Sequence, residues 1–324
     1  MKIKRLQVKI FFVATLFFAA NTEGFAQQEG CSTLFMYNPL LVNPAAAGAR
    51  DVPTLVLHHR TQWLGFKGAP TEQSLAFSAP AFGSKRLGFG LTLDNRHIGI
   101  FENQTAAMSW SYSPVKTDKF SIRIGLQGSV RRESVRFNDD TEAALYLNDR
   151  SIPKDKTVNY RANFGMGGLV TFGESYFGVS VPFFVPTIIG INPYSETTAE
   201  QLAHYYVFGG VNLPVTSSIT LRPSAMWKGV KNAPWNVEAN LNIVFSERVT
   251  CGFSYRAGKT NGEVIGESAD LILVLQVSDR MAIGGSYDWL LSPVKQYSSG
   301  SFEAIIRYDL KKTDVTFSNP RTFF

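Results

Sequence analysis

Apolar and polar side chains alternate along most of the chain after residue 54. From Leu87 to Leu93 every second residue is a large apolar one, and the residues between them are glycine or threonine. A similar alternation runs from Val249 to Tyr255. A period of two residues is typical of a β-strand whose two faces meet different surroundings. The pattern therefore predicts strands with one apolar face and one face of small or polar side chains.

Turn-forming residues divide this pattern into about fourteen strands, an even number within the range of single-chain membrane barrels. In such a barrel one strand face meets lipid and the other meets the lumen, so the alternation is expected throughout. The predicted strands cover Thr54–Gln62, Glu72–Ser78, Arg86–Asn95, Asn103–Ser113, Phe120–Val130, Asn159–Phe172, Tyr176–Val181, His204–Leu213, Ile219–Met226, Asn236–Phe245, Val249–Arg256, Ala269–Val277, Met281–Trp289 and Ser301–Leu310.

The connections between these strands alternate in length. Those after even-numbered strands are tight, as at Lys116–Lys119, whereas those after odd-numbered strands are mostly longer. The longest covers Arg131–Thr157 and includes Ala143–Leu147, which could form a short helix. Outer-membrane barrels have short periplasmic turns and longer extracellular loops. In a soluble β-sandwich nothing requires short and long connections to alternate in this way. We therefore predict an all-β transmembrane outer-membrane barrel, with both chain ends in the periplasm.

The first 26 residues have the features of a secretory signal peptide. Four cations precede an apolar run, Ile10–Ala20, that is too short to span a membrane as a helix. Gly24-Phe25-Ala26 matches a small-x-small cleavage site, which predicts cleavage between Ala26 and Gln27. No later apolar stretch reaches the length of a membrane helix, so a soluble protein or a barrel remains.

Composition favours the barrel over a soluble domain. Charged residues make up 18% of the chain, below the roughly 25% usual in soluble domains, and aromatic residues make up 13%. The net charge of +6 comes partly from the leader, and the remaining charge is too small and scattered to indicate nucleic-acid binding. Cys31 and Cys251 form no disulfide framework; a single bridge is conceivable, but two free thiols are expected.

Two Asn-Pro pairs, Asn38-Pro39 and Asn43-Pro44, interrupt the apolar segment Leu34–Gly48. Proline lacks an N–H group and biases the preceding residue away from helix, so neither a helix nor a central strand fits. The segment is therefore predicted to be irregular, and either ordered and partly buried or a flexible lead-in. The predicted organisation is a signal peptide at 1–26, a periplasmic or lumenal segment at 27–52, the barrel at 53–310 and a tail at 311–324.

Four short motifs resemble those of one family. The Asn-Pro-rich run is followed by Arg-x-Gln-Trp at Arg60–Trp63 and by Gly-Ala-Pro-Thr at Gly68–Thr71. Ser-Asn-Pro-Arg at Ser318–Arg321 precedes the terminal Phe324. Each motif is weak alone, but their order and spacing together resemble the PorP/SprF outer-membrane proteins of type IX secretion and gliding in Bacteroidota. The resemblance covers the whole mature chain.

The resemblance implies a non-enzymatic outer-membrane component that anchors or adapts the secretion machinery. Implied partners are outer-membrane lipids, periplasmic ring or peptidoglycan-binding proteins, and a large secreted adhesin. By analogy, Asn38–Gly48 and the short turns would face periplasmic partners and the long loops would face cargo. A passive porin or small-molecule transporter is the alternative. The candidate partner or structural residues are Tyr37, Asn38, Pro39, Asn43, Pro44, Gly48, Arg60, Gln62, Trp63 and Pro70.

No catalytic or cofactor motif is found in the sequence. His58 and His59 are adjacent in a predicted strand and point to opposite faces, so they cannot form a two-ligand metal site. The acidic residues at 139–142 do not have the spacing of an EF-hand loop. Gly165–Gly168 lies within a strand, where glycine is expected to relieve crowding. No cofactor, metal, nucleic acid or small-molecule substrate is predicted.

Several polar side chains are predicted to point into the lumen. They could line a channel, hold the N-terminal segment as a latch, or fill the lumen by pairing with one another. The predicted inward residues are Arg123, Gln127, Arg161, Arg222, Glu238 and Arg307.

Overall fold

The computed structural model of this protein describes residues 30, 32–50, 52–135, 157–189, 199–231, 234–260 and 263–310. The predicted signal peptide with its cleavage site, Cys31, the short helix at 143–147 and the C-terminal tail lie outside these residues. None of the helices among the described residues is long and apolar enough to cross a membrane.

Fourteen antiparallel strands form a closed barrel, which confirms the predicted fold and strand number. Each strand pairs with its neighbours in sequence, and the first strand closes the barrel against the last with Thr54 opposite Asp309. Leu213–Pro214 adds a two-residue strand at the barrel edge, and Thr187–Ile189 pairs with Ala199–Gln201 in a separate small sheet. The barrel strands are β1 Thr54–Thr61, β2 Thr71–Ala81, β3 Ser84–Ile98, β4 Phe101–Lys116, β5 Phe120–Val135, β6 Thr157–Phe172, β7 Ser175–Val181, β8 His204–Val211, β9 Ile219–Val230, β10 Asn236–Phe245, β11 Val249–Thr260, β12 Glu263–Gln276, β13 Met281–Leu290 and β14 Ser301–Asp309.

The alternation of the sequence becomes an alternation between the outside and the lumen. In β5, Leu126 is 67% exposed on the outer face, whereas its neighbour Gln127 is buried inside with Arg123. An outer face of large apolar side chains is what a lipid-facing surface requires, because lipid offers no hydrogen bonds. Cys251 is a free thiol on this outer face.

Aromatic side chains gather near both ends of the barrel. Phe120 and Phe172 stack edge to face beside the short turns, with ring centroids 6.4 Å apart. Near the opposite end, Tyr287 and Trp289 pair in the same way at 5.0 Å, and Tyr160 is exposed. Two aromatic girdles of this kind mark the levels at which a membrane barrel meets the lipid headgroups.

The two barrel ends differ in their connections. We call the end where β1 begins the turn end, and its connections are 82–83, 117–119, 173–174, 212–218, 246–248 and 277–280. The opposite end is the loop end, with connections 62–70, 99–100, 136–156, 182–203, 231–235, 261–262 and 291–300. The predicted sorting holds except at 99–100 and 261–262, where the loop-end connection is short, and at 212–218, where the turn-end connection has seven residues.

The short connection at 99–100 arises because β3 and β4 are longer than predicted. The sequence predicts that β3 ends at Asn95, where the apolar alternation stops. In the structure the ladder continues, with Arg96 opposite Asn103 and His97 opposite Glu102. Beyond the apolar band both faces of a strand can be polar, so the hydrophobic pattern no longer indicates where the strand ends.

The N-terminal segment is ordered and lies inside the barrel. Residues 32–50, here called the lumenal segment, form three single-turn 3-10 helices at Phe35–Tyr37, Pro39–Leu41 and Pro44–Ala46. Proline stands at the first position of two of these helices, where its missing N–H costs nothing. The asparagine before each proline keeps an extended or irregular backbone, which breaks the helices into short turns.

Candidate functional site in the barrel lumen

The lumenal segment runs through the lumen from the loop end to the turn end. Gly30 lies against Glu72 at the loop end of β2. At the other end, Arg50 forms a 2.9 Å ion pair with Asp309, the last residue of β14. The chain then enters β1 from the turn end. The first described residue therefore lies at the loop end, whereas the last barrel strand ends at the turn end. The chain ends themselves lie outside the described residues, so their placement in the periplasm stays a prediction.

The lumenal segment supplies six of the sixteen described residues in the two buried apolar clusters. Phe35 packs edge to face on Phe208 of β8 with ring centroids 6.4 Å apart. Fully burying one such aliphatic or aromatic side chain stabilises the folded state by about 1.5–3 kcal/mol, so the segment and the wall hold each other. One apolar cluster joins Leu34, Leu40 and Ala47 to Val56, Ala76, Ile272, Val274, Ala282 and Ile305, and the other joins Phe35, Met36 and Ala45 to Leu169, Tyr206, Phe208 and Met226.

Wall side chains also satisfy the backbone of the segment. Ser111 donates a 2.6 Å hydrogen bond to the Ala47 carbonyl, and Ser180 donates one of 2.6 Å to the Val42 carbonyl. The Gly48 amide donates to the Ser78 hydroxyl at 2.8 Å. Irregular backbone needs such partners because it lacks the internal hydrogen bonds of a helix or sheet. Small hydroxyl residues at inward positions of the wall therefore supply the hydrogen-bond partners that the backbone of the Asn-Pro-rich segment needs.

Asn43 connects the segment to two strands. Its side-chain NH₂ donates to the Gly168 carbonyl at 3.0 Å and to the Val179 carbonyl at 3.4 Å. Its side-chain oxygen accepts from the Ala45 amide at 2.9 Å and so caps the third 3-10 helix. The side chain is fully buried, which makes each of these bonds costly to lose.

Replacing Asn43 with alanine is expected to destabilise the folded barrel by about 1–2 kcal/mol, because a cap and two wall contacts are lost together. Asn95 is the matched control, since its amide bonds Gln73 on the exposed outer face at 3.2 Å. Urea unfolding in detergent micelles compares the two variants with the wild type. Equal midpoints for Asn43→Ala and Asn95→Ala would contradict the structural role of Asn43.

Inward glycines make room for the segment. A Cβ atom on Gly88 would meet the Ala47 carbonyl, and one on Gly125 would meet the backbone of Ala45. Gly167 similarly lies against the Asn43 side chain and Gly165 against the Pro182 carbonyl, so these two glycines relieve crowding, whereas a Cβ on Gly168 would make only an ordinary contact at 3.8 Å. The segment therefore lies in direct contact with the wall at Gly88, Gly125 and Gly167, and a side chain on the wall at these positions would clash with it.

A cluster of buried charges holds the start of the segment. Its members, here called the charge cluster, are inward side chains of β1 and of β10 to β14 near the loop end. Two arginines meet four carboxylates beside Thr33. The charge cluster consists of Arg60, Glu238, Arg256, Asp270, Asp288 and Glu303.

Arg60 is the central member of the charge cluster. It pairs with Glu303 and, at 2.6 Å, with Asp288. Arg256 pairs with Glu238 at 2.9 Å and lies 3.8 Å from Asp288. All these side chains are at most 6% exposed. Charges buried this deeply are stable only when paired and hydrogen-bonded, so the pairs depend on each other.

The same charges bind the backbone of the lumenal segment. Glu303 accepts hydrogen bonds from the Thr33 amide at 2.8 Å and from the Leu34 amide at 3.2 Å. The Thr33 hydroxyl donates to Asp270 at 3.1 Å and accepts from Arg256 at 2.8 Å. Two of the interpretations left open by the sequence therefore hold together: the lumenal charges pair with one another and they also latch the segment.

The sequence-predicted residues fall into two places. Arg60, Gln62, Trp63 and Pro70 line one cavity of about 360 Å³ at the loop end, here called the mouth cavity. Its wall is a tight loop in which the Gln62 amide donates to the Pro70 carbonyl at 2.9 Å, and Trp63 has a left-handed φ of 55°. The other candidates lie in the lumenal segment: Tyr37, Asn38, Pro39, Asn43, Pro44 and Gly48.

The lumenal candidates are not available to a partner in this arrangement. Asn38 and Asn43 are at most 5% exposed, and the remaining contacts of Asn38–Gly48 are with the barrel wall. The expectation that Asn38–Gly48 faces periplasmic partners stays a prediction, because contacts within one chain do not test which proteins it meets. Tyr37 lies beside Arg222 and Thr250 on the inner wall.

The predicted inward residues do point into the barrel. Arg123 donates to the Ser111 hydroxyl at 3.0 Å, and Arg161 pairs with Glu133 at 3.1 Å. Gln127 donates to the Pro182 carbonyl at 3.3 Å, where the connection after β7 follows the inner wall. Thr33 and the carboxylates at 270, 288 and 303 were not predicted from the sequence. The inward parity of the three carboxylates in their strands was a usable signal, whereas Thr33 lies outside the strands and offered none. Among the described residues no group of three or more His, Cys, Asp or Glu side chains is arranged to hold a metal ion.

Comparison with known families decides the identity. The family described as type IX secretion system membrane protein PorP/SprF matches residues 24–308, which is most of the chain. The chain belongs to the PorP/SprF family. It is therefore a membrane component of type IX secretion located in the outer membrane, as its motifs predicted. A search of the curated proteins finds no significant match.

Solved structures with similar folds are outer-membrane barrels with little sequence identity. The monoaromatic hydrocarbon channel TodX, as a deletion mutant, is 9% identical with a TM-score of 0.50 over 90% of this chain and 97% of that one. A Pseudomonas aeruginosa FadL homologue is 11% identical with a TM-score of 0.49 over 86% and 94%. The Ralstonia pickettii toluene transporter TbuX is 11% identical with a TM-score of 0.46 over 90% and 100%. At these identities the likeness shows the barrel fold alone.

Proposed function

We propose that this PorP/SprF protein is a non-enzymatic anchor or adaptor of the type IX secretion machinery in the outer membrane. The observation that carries the proposal is the filled lumen. The protein's own segment 32–50 occupies it and is held by the buried charge cluster. A conduit needs a continuous aqueous path, whereas an anchor needs a rigid body with two distinct surfaces. The contacts between segment and wall favour the anchor.

The turn end offers the surface for periplasmic partners. Its connections carry exposed charged residues, including Lys119, Glu174 and Arg248, on tight turns attached to a rigid barrel. Such a surface fits a periplasmic ring or peptidoglycan-binding protein. The loop end, with its longer connections, would face an exported adhesin. Partners therefore meet the two ends, and the lumenal segment acts by keeping the barrel rigid and closed.

A mild-detergent pull-down of the tagged full chain from its native outer membrane tests the proposal. Mass spectrometry is expected to identify periplasmic ring components, a peptidoglycan-binding protein or a large adhesin. Two matched charge reversals separate the ends: Lys119→Glu changes an exposed turn-end residue and Lys67→Glu an exposed loop-end residue. We expect Lys119→Glu to deplete periplasmic partners selectively.

Recovery of a barrel without partners would contradict the adaptor proposal. The passive porin would then be the better explanation, and it predicts ion conductance of the purified protein in planar bilayers. The filled lumen opposes that alternative, because the space that ions would use is occupied by packed side chains such as Leu34 and Phe35, at most 2% exposed.

A further inference from the structure

A shallow groove of about 750 Å³ lies on the outer face of the barrel, in its loop-end half, and crosses β14 and β1 to β6. This volume is within the range of roughly 300–1,000 Å³ that is usual for sites holding a small molecule. One row of outward apolar side chains forms the floor of the groove, and each member is directly opposite the next across the strands. The floor consists of Ile306, Leu57, Leu75, Leu93, Ala106 and Val130.

A second row, two residues closer to the loop end on each strand, borders the floor and is polar. Asn95 donates to the Gln73 side-chain oxygen at 3.2 Å, and Arg132 donates to that of Gln104 at 3.1 Å. These bonds align amides and a guanidinium along one side of the groove. We call this row the polar edge; it consists of His59, Gln73, Asn95, Gln104 and Arg132.

The polar edge marks the level at which β1 to β5 leave the apolar band. Farther toward the loop end their outward residues stay polar, as at His97 and Glu102, which are opposite each other. The flanking strands stay apolar or aromatic instead: Phe302 is exposed on β14, and Tyr160 is exposed on β6. The groove therefore combines an apolar floor with a polar border, as a site for a lipid requires, because acyl chains offer no hydrogen bonds and head groups do.

The position of the groove determines which leaflet it meets. The loop end carries the longer connections, and these face the exterior in outer-membrane barrels. The polar edge is then at the level of the outer-leaflet head groups, and the floor is beside the acyl chains. Lipids of the outer leaflet of such a membrane are phosphorylated glycolipids, whose head groups carry both sugar hydroxyls and phosphate.

We propose that this groove binds a phosphorylated glycolipid of the outer leaflet. Acyl chains lie on the apolar floor, where burial of their surface is favourable. The side-chain amides of Gln73 and Gln104, both exposed, hydrogen-bond the sugar hydroxyls. The guanidinium of Arg132 binds the phosphate, because its planar fork matches phosphate oxygens. The proposal is independent of the adaptor role, since the groove lies on the side wall and not at either end of the barrel.

The surroundings of Arg132 leave its guanidinium available to a ligand. Its nearest carboxylate, Glu102, is 3.9 Å away, which is longer than a hydrogen bond. Among the described residues it makes one hydrogen bond, to Gln104, out of the five N–H donors of an arginine. A phosphate that approaches from the floor side therefore meets unused donors.

Native mass spectrometry of the folded protein, purified in detergent, tests the proposal. The protein is titrated separately with diphosphoryl lipid A and with phosphatidylglycerol, and the bound fraction gives each apparent affinity. Arg132→Gln removes the charged donor, and Ala106→Trp fills the floor. The matched controls are Arg248→Gln at the turn end and Ala239→Trp on the outer face of β10, both at exposed positions outside the groove.

The expected result is one lipid A per barrel, bound about tenfold more tightly than phosphatidylglycerol, because the sugar adds hydrogen bonds to the polar edge. Arg132→Gln should weaken lipid A binding by roughly tenfold, the size of one charge-assisted hydrogen bond. Ala106→Trp should weaken it by at least as much, and both controls should bind as the wild type does.

Equal affinity for the two lipids, or a preference for phosphatidylglycerol, would overturn the proposal. Lipid A binding that both groove variants leave unchanged would overturn it as well. The mobility shift of unheated samples on gels verifies that each variant is folded. If Ala106→Trp does not fold, Arg132→Gln decides alone, because an exposed pair such as Arg132 with Glu102 contributes little to stability.

Discussion

Replacing Arg60 with alanine is expected to destabilise the folded barrel by about 3–5 kcal/mol, because the substitution leaves two buried carboxylates without their cation. Glu303 and Asp288 both pair with Arg60 and are at most 1% exposed. Glu303 also accepts the Thr33 and Leu34 amides, so its displacement loosens the start of the lumenal segment. Urea unfolding in detergent micelles measures the loss as a lower midpoint at unchanged slope.

Arg132→Ala is the matched control for Arg60→Ala. Arg132 lies on the outer surface, 3.9 Å from Glu102, with 25% of its side chain exposed. Solvent-exposed pairs of this kind contribute about 0–1 kcal/mol. A second variant, Arg60→Met with Glu303→Gln, removes one of the two carboxylate charges left without Arg60 and should recover part of the loss. Similar midpoints for Arg60→Ala and Arg132→Ala would show that the charge cluster does not hold the barrel together.

Replacing Gly125 with leucine is expected to expel the lumenal segment or prevent its insertion. Any Cβ at this position meets the backbone of Pro44 and Ala45, which cannot move without breaking the Asn43 contacts. Overpacking a well-filled core costs about 1–3 kcal/mol, and a leucine here displaces backbone as well as side chains. We expect a lower unfolding midpoint and, in planar bilayers, conductance that the wild type does not show.

Gly128→Leu is the control on the same strand. Gly128 is exposed on the outer face and has no atom within 4 Å of an added Cβ, so leucine there only adds lipid-facing surface. If Gly125→Leu cannot fold, conductance cannot be measured. The fraction of folded protein is therefore also determined for both variants, from the mobility shift of unheated samples on gels. If Gly125→Leu matched Gly128→Leu in both stability and conductance, the segment would not occupy the lumen.

Local pattern was enough to predict the strands that cross the apolar band. β10 at Asn236–Phe245 has the bounds that the sequence predicts, because apolar residues point outward along its whole length and alternate with mostly polar inward ones. Where strands pass beyond that band, the same pattern failed: β5 reaches Val135 although the alternation suggested an end at Val130. The backbone ladder continues there without a hydrophobic signal.

The sequence by itself determined the class of the protein: the strand number, the facing of inward residues such as Arg123 and Glu238, and the family motifs. Only the tertiary structure decided that Asn38–Gly48 fills the lumen, and that Arg60 joins Glu303 to form its latch. Residues 60 and 303 are separated by 243 positions, so their contact depends on the register in which β1 closes against β14. Alternation is a property of each strand and its surroundings. Contact between inward side chains depends on closure of the whole barrel, and a one-residue shift in register would turn every partner to the other face.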